Sequence, residues 1–247
     1  MISIVVPVYN EGGNIVRLME RVEDQVKTDK EIIVVYDFDE DDTVPVVNKI
    51  RDEYSFKIRL EKNAAGEGPL NAIKTGFGLA DKSTVLVVMA DLSDSLNVVD
   101  EMYRKITESG YDLVCGSRYM KGGRQIGGPF FKGFLSRMAG LSLHWISRIP
   151  THDVTNSFKM YRNSMLKAIR LESTGGFEVG MEIAVKTYIA GYRITEIPCT
   201  WYDRTEGASR FKTFRWMPRY MKWYFVCMFS KIAGKYEFMS RAFTHHC

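Results

Sequence analysis

Three short runs of branched apolar residues constrain this chain more than any other feature, because each one breaks off at a carboxylate. Ile2-Ser3-Ile4-Val5-Val6 leads into Pro7-Val8-Tyr9-Asn10-Glu11, Ile32-Ile33-Val34-Val35 into Tyr36-Asp37, and Val85-Leu86-Val87-Val88 into Met89-Ala90-Asp91. Runs this short and this apolar fit strands covered on both faces, the pattern of a parallel sheet. Open α/β sheets bind ligands outside the carboxyl ends of their strands, so the three acids are expected on one rim. An acidic rim suits a cation, a sugar or a nucleotide base better than a bare phosphate, which would want a glycine-rich turn opening a helix.

The alternation continues along the chain. Ile15, Leu18, Met19, Val22 and Val26 fall at helical spacing with a polar opposite face. A strand at 31–36, a helix at 44–54, a strand at 57–60, a helix at 69–80, a strand at 84–90 and a helix at 96–109 are predicted in turn. Right-handed crossovers wind such βα units into a parallel sheet with helices on both faces. After a strand at 111–116 the order loosens into a glycine-rich loop at 122–128, helices at 130–148, 163–170 and 178–190, and a strand at 193–201. No repeat or linker interrupts the 247 residues, so one α/β domain over 1–210 is expected, with an extension over 211–247.

Charge is divided unevenly. Residues 1–110 hold 13 Lys and Arg against 21 Asp and Glu, a net of −8, whereas residues 111–247 hold 21 against 9, a net of +12. An acidic region for a cation or sugar thus faces a basic region fit for phosphates or an anionic membrane. Nucleic acid fits poorly as a partner, since the acidic half would repel it. The four cysteines show no paired spacing and no signal peptide is legible, so free thiols in a reducing cytosol are expected.

Asp91, followed by Ser93 and Asp94, offers the oxygen ligands that magnesium or manganese prefers. Ser93, Asp94 and Ser95 are also good N-cap residues, and Asp94 or Ser95 is expected to cap the next helix. Tyr9 can stack on a base, Glu11 can accept from ribose or base N–H groups, and Asp37 ends the second strand where an acid commonly meets a nucleotide. Asp39, Glu40, Asp41 and Asp42 read as a solvated turn and helix cap, because five acids within six residues cannot all be buried unpaired. Arg118, just past the fifth strand, could bind pyrophosphate through a bidentate guanidinium. The stretch from Asp203 to Arg210 carries Arg204 and Arg210 around Gly207, either a phosphate clamp or an ordinary polar turn.

In order along residues 2–212, seven motifs resemble those of the family-2 glycosyltransferases, most of all the dolichol-phosphate mannose synthase branch. They are Val5 to Glu11, the acid-rich turn at 36–43, Ala90-Asp91-Leu92-Ser93, Gly116-Ser117-Arg118-Tyr119, Asp153 to Arg162, Met181-Glu182, and the loop 203–210. The resemblance implies a GT-A fold, a nucleotide-sugar donor such as GDP-mannose or a UDP-hexose, Mg2+ or Mn2+, and a polyprenyl-phosphate acceptor. It implies donor contacts at Pro7, Tyr9, Asn10, Glu11, Asp37, Ala90 and Asp91, and metal contacts at Asp91 and Ser93. It further implies catalytic roles for Asp91, Arg118 and Glu182, and phosphate or acceptor contacts at Arg118, Ser157, Lys159, Arg204, Ser209 and Arg210. Two departures stand out: Met89 replaces the first acid of the family's Asp-Ala-Asp, and Phe38 stands where glycine is favoured.

An acceptor phosphate, with a second pKa of about 6, is already anionic and needs no strong base. His144, His152, His245 and His246 all lie outside the rim motifs, and in-line displacement with inversion is the expected chemistry. From Phe211 to Phe229, aromatics alternate with Lys212, Arg215, Arg219 and Lys222. This suits a helix lying on anionic lipid, the alternative being that the aromatics pack onto the domain, a partner subunit or a membrane-protein partner. A span is not expected, because the longest uncharged stretch there, 223–230, falls short of the roughly 20 residues that cross a bilayer. Residues 130–149 are similarly mixed and could shape a lipid groove. The expected placement is peripheral, on the cytoplasmic face of a membrane. The competing readings are a same-fold transferase with a saccharide hydroxyl acceptor, which would need a general base, and a catalytically silent nucleotide-binding relative.

Overall fold

Alternation of side chains along the central strands divides the interior into two cores, one on each face of a single sheet. The computed structural model describes residues 1–203 and 213–230. The elements run β1 (Ile2–Pro7), α1 (Gly12–Gln25), β2 (Lys30–Tyr36), α2 (Thr43–Ile50), β3 (Lys57–Lys62), α3 (Pro69–Leu79) and β4 (Thr84–Val87). A 3-10 turn (Leu96–Val98) then precedes α4 (Val99–Thr107), β5 (Leu113–Ser117), β6 (Arg124–Ile126), α5 (Phe130–Ser147) and β7 (Lys159–Arg162). The chain continues through α6 (Asn163–Ala168), α7 (Val179–Ile189), β8 (Ile194–Pro198), β9 (Thr200–Tyr202) and α8 (Thr213–Phe229).

The main sheet has the order β3-β2-β1-β4-β7-β5-β8, parallel except for β7, which runs antiparallel to both β4 and β5. Ile4 pairs with Ile32 on one side and Leu86 on the other. These residues face α1, α2 and α4 together with Val6, Val34, Leu18, Val22, Val47 and Met102. Val5, Ile33, Val35, Val85 and Val87 face the other way, onto Ile73, Phe77, Met165, Ile183 and Trp223. Each such side chain contributes about 1.5–3 kcal/mol by leaving water. Gly76 lets α3 come this close, since a Cβ there would lie 2.2 Å from Val5 Cγ1.

Two features differ from the sequence expectation. β7 was not predicted, because Lys159-Met160-Tyr161-Arg162 is too short and too charged to read as a strand; pairing with β4 and β5 is what buries it. The strand expected at 193–201 is two strands: β8 pairs with β5, while β9 leaves the main sheet to pair with β6 inside the expected glycine-rich loop.

Of the extension, α8 packs onto the second core: Trp223 and Cys227 are buried, and Trp223 Nε1 donates to Ser173 Oγ at 3.2 Å. Met221, Phe225 and Phe229 face outward, as do Phe130, Phe131, Phe134, Met138, Trp145 and Ile146 of α5. Among the described residues no helix is long and apolar enough to cross a membrane. Cys115 and Cys199 are free and buried, Cys227 is buried, and Cys247 lies outside the described residues.

Candidate active site

Parallel pairing in register, Pro7 with Val35 and Val5 with Val87, releases the chain from β1, β2 and β4 at one end of the sheet. The first two turns there are interlaced. Asn10, at φ 52, donates its N–H to Asp41 Oδ2 at 3.0 Å and accepts the Asp42 N–H on Oδ1 at 3.3 Å. Asparagine tolerates this left-handed backbone better than most residues. Glu11 N–H reaches Thr43 Oγ1 at 2.9 Å and Gly12 N–H reaches Asp42 Oδ1 at 2.8 Å, while the Glu11 carboxylate accepts from Asn14 Nδ2 at 2.8 Å.

This corrects the solvated-turn expectation for Asp41. It is wholly buried, and its carboxylate also takes the Thr43 N–H at 2.8 Å. Asp39 does remain outside, paired with Lys62 at 2.6 Å. Asp37 accepts from Asn63 Nδ2 at 2.8 Å and Gly68 N–H at 2.9 Å, tying β2 to the loop before α3. Tyr9, 45% exposed, meets the edge of Phe38 with ring centres 5.2 Å apart. Pro7 is half-buried at the end of β1, and Ala90 is buried beside the first core.

After β4 the chain makes the acidic turn. Asp91 Oδ1 accepts the Ser93 N–H at 3.2 Å, and the Ser93 carbonyl accepts from Tyr202 N–H at 3.0 Å. Asp94 is buried and, among the described residues, accepts a long 3.5 Å bond from Met89 N–H. Burial, and then the negative charge of Asp91, push its carboxyl up to about 7, against the opposing pull of Arg118 and Arg21. Neither Asp94 nor Ser95 caps the 3-10 turn as expected; Ser95 Oγ donates instead to the Thr200 carbonyl.

No group of three Asp, Glu, His or Cys side chains among the described residues could hold a metal alone. Asp91 and Asp94 nevertheless fit a divalent cation. They are two hard oxygen donors whose mutual repulsion a cation would relieve, and such a site takes its other ligands from diphosphate oxygens and water. Ser93, expected as a further oxygen ligand, is buried like Asp94, with its N–H on Asp91 and its carbonyl on Tyr202.

Three expected ligands are committed elsewhere. Arg118 does not reach out from the rim: its side chain is 11% exposed, with Nε 2.7 Å from Asp153 Oδ2 and Nη2 2.9 Å from Asp153 Oδ1. Its Nη2 also meets Ser136 Oγ at 3.0 Å and Thr155 Oγ1 at 3.3 Å, binding α5 to the end of β5. Burial would lower the Arg118 pKa, but the Asp153 carboxylate more than offsets this and raises it. Lys159 is fully buried, and its ammonium donates to the Asn156 carbonyl and to the Val154 carbonyl at 3.1 Å.

Glu182 is also fully buried. It is paired with Lys186 at 2.8 Å and accepts the Ser173 N–H at 2.8 Å and the Glu172 N–H. Together with Glu178, which takes the Gly175 and Gly176 N–H groups at 2.9 and 2.7 Å, it fixes the loop that receives α8. Ser157 borders a small cavity among Phe77, Tyr161, Phe177 and Val179. Arg204, Ser209 and Arg210 lie outside the described residues. Arg21, which hydrogen-bonds the acidic turn, gave no sequence signal because it reads as one more polar position on α1.

Comparison with known proteins places the fold and the family. The chain is 30% identical over 234 residues to a dolichol-phosphate mannosyltransferase of Pyrococcus furiosus, covering 90% of this chain and 64% of that protein, so it spans under two thirds of that relative. It is 26% identical over 213 residues to a polyprenol monophosphomannose synthase of Mycolicibacterium smegmatis, covering 84% of this chain and 79% of that protein. Among solved structures, the fold is shared with glucosyl-3-phosphoglycerate synthase from Mycobacterium tuberculosis in complex with Mn2+, UDP-glucose and phosphoglyceric acid. There the TM-score is 0.66 at 13% identity, over 92% of this chain and 79% of that one. S. aureus TarS 1-349 gives a TM-score of 0.61 at 19% identity, over 81% of this chain and 60% of that one. The sheet is therefore of GT-A type, and with residues 3–170 matching the Glycosyl transferase family 2 model, the chain belongs to that family.

Proposed function

We propose that this protein transfers a sugar, with inversion, from a nucleotide-sugar donor, GDP-mannose or a UDP-hexose, to a polyprenyl phosphate of dolichyl type at a membrane surface. The observation that carries this reading is the similarity over 84–90% of the chain to two relatives named for polyprenyl-phosphate mannosyl transfer. The acidic rim supports it. Tyr9 with Phe38 offers an aromatic ledge for the base, and Asn10, Glu11 and Asp37 lie at the ends of the same strands. Asp91 and Asp94 would hold Mg2+ or Mn2+, which when bound neutralises charge on the departing diphosphate.

The acceptor phosphate is its own nucleophile and reaches the anomeric carbon from the face opposite the diphosphate. Arg204, Ser209 and Arg210 are its proposed ligands, and Arg118, held by Asp153, organises the wall between β5 and α5. The outward aromatics of α5 and α8 would rest on lipid on the cytoplasmic face. Met89 favours one second reading, a catalytically silent relative, since it removes a carboxylate from the donor site.

Incubating the protein with Mn2+, polyprenyl phosphate and labelled GDP-mannose or UDP-glucose tests both. A lipid-extractable sugar phosphodiester with inverted anomer, lost with EDTA, is expected. A retained anomer would rule out single displacement, and donor binding without any transfer or hydrolysis would favour the silent relative.

A further inference from the structure

The acidic turn is held in shape by a side chain outside it. Leu92 lies at φ 62, a left-handed backbone that a branched side chain adopts only where neighbours enforce it. Arg21, from α1, places Nη1 2.8 Å from the Leu92 carbonyl and Nη2 2.6 Å from the Asp94 carbonyl. The intervening Ser93 carbonyl is taken by Tyr202 at 3.0 Å. Three successive carbonyls are thus satisfied, two of them by one rigid planar fork, a geometry that guanidinium supplies and ammonium does not. These two hydrogen bonds of Arg21 go to main-chain oxygens, so it acts on the backbone of the turn. α1 also carries Asn14, bonded to Glu11, and so links the nucleotide-side turn to the acidic one.

We propose that Arg21 is the positioning residue of the metal-binding turn: by clamping the carbonyls on either side of Ser93 it presents Asp91 and Asp94 together to a divalent cation, and so sets the cation affinity of the donor site. This rests on the metal-dependent reading above. Groups that orient metal ligands from behind commonly alter affinity by about 10–100-fold when removed, and Arg21 belongs in that range.

The test is Mn2+ binding, followed by the EPR signal of free Mn2+ with and without GDP or UDP, for the wild type, Arg21→Met and Arg21→Lys. Methionine keeps the apolar stem and removes both donors; lysine keeps the charge and reaches one carbonyl at a time. Mn2+ affinity about tenfold or more weaker in R21M, intermediate in R21K, with donor KM raised and acceptor KM unchanged, is the expected result. Thermal unfolding of each variant accompanies the titration, and R21K carries the test if R21M does not fold. Mn2+ affinity equal to wild type in folded R21K and R21M, or a fall in kcat alone, would overturn the positioning role and leave the metal reading standing. Absence of Mn2+ binding by the wild type, with or without nucleotide, would overturn both.

Discussion

At the scale of single residues, some charged groups stand at strand ends and others are spent on architecture. Asp91 follows β4 at such an end. If it holds the cation as proposed, Asp91→Asn should lower Mn2+-dependent transfer about a hundredfold or more, roughly 3 kcal/mol of barrier, measured as turnover at saturating donor. Asp153 belongs to the second. Breaking its buried pair with Arg118 by Asp153→Asn should cost about 3–5 kcal/mol in urea unfolding, because the guanidinium stays buried without its counter-charge.

The pH dependence follows with a definite sign. Burial alone would raise the Asp153 carboxyl, but Arg118, by charge and hydrogen bonds, more than offsets it and holds the group below its usual 3.8. Its stabilisation is therefore complete above the unfolded value and is lost as pH falls through the lower folded one. Unfolding midpoints followed from neutral pH into the acid range should fall less steeply in D153N than in the wild type. The acids of the rim were legible in the sequence because each ends an apolar run. The pairing of Arg118 was not, because Asp153 lies 35 residues away.

Among the elements, α3 and α8 show how close packing seats helices on the sheet. Gly76→Ala would drive a Cβ to 2.2 Å from Val5 Cγ1, and moving α3 off β1 should cost about 1–3 kcal/mol in denaturant unfolding. α8 is seated by Trp223 on Ser173 and by Lys222 on Glu172 at 3.3 Å. Trp223→Ala should cost about 3–5 kcal/mol of local stability, read as lost hydrogen-exchange protection in α8 with protection in α1 preserved. The βα units of the first half could be read from periodicity alone. β7 could not, since its four residues carry a charge at each end and owe their burial to the neighbouring strands.

Across the whole molecule, the strands that end in acids lie in the acidic first half, while α5 and α8 carry outward aromatics. If those helices rest on lipid, Phe134→Ser with Phe225→Ser should reduce sedimentation with anionic vesicles several-fold, and raised salt should weaken binding of the wild type. Transfer to a short-chain polyprenyl phosphate in detergent should survive the same changes.

What the sequence determined by itself was the set of elements whose pattern is local: buried strands, amphipathic crossovers, and acids at strand ends that must share a rim once the strands are parallel. Tertiary structure alone decided which charged groups remain for chemistry. Arg118, Lys159, Glu182 and Asp41 are drawn inward by partners or carbonyls that folding gathers round them, and Arg21 meets the acidic turn from 71 residues away. Desolvating a charge is tolerable only where such partners converge, and that convergence depends on long-range contacts that no stretch of sequence records.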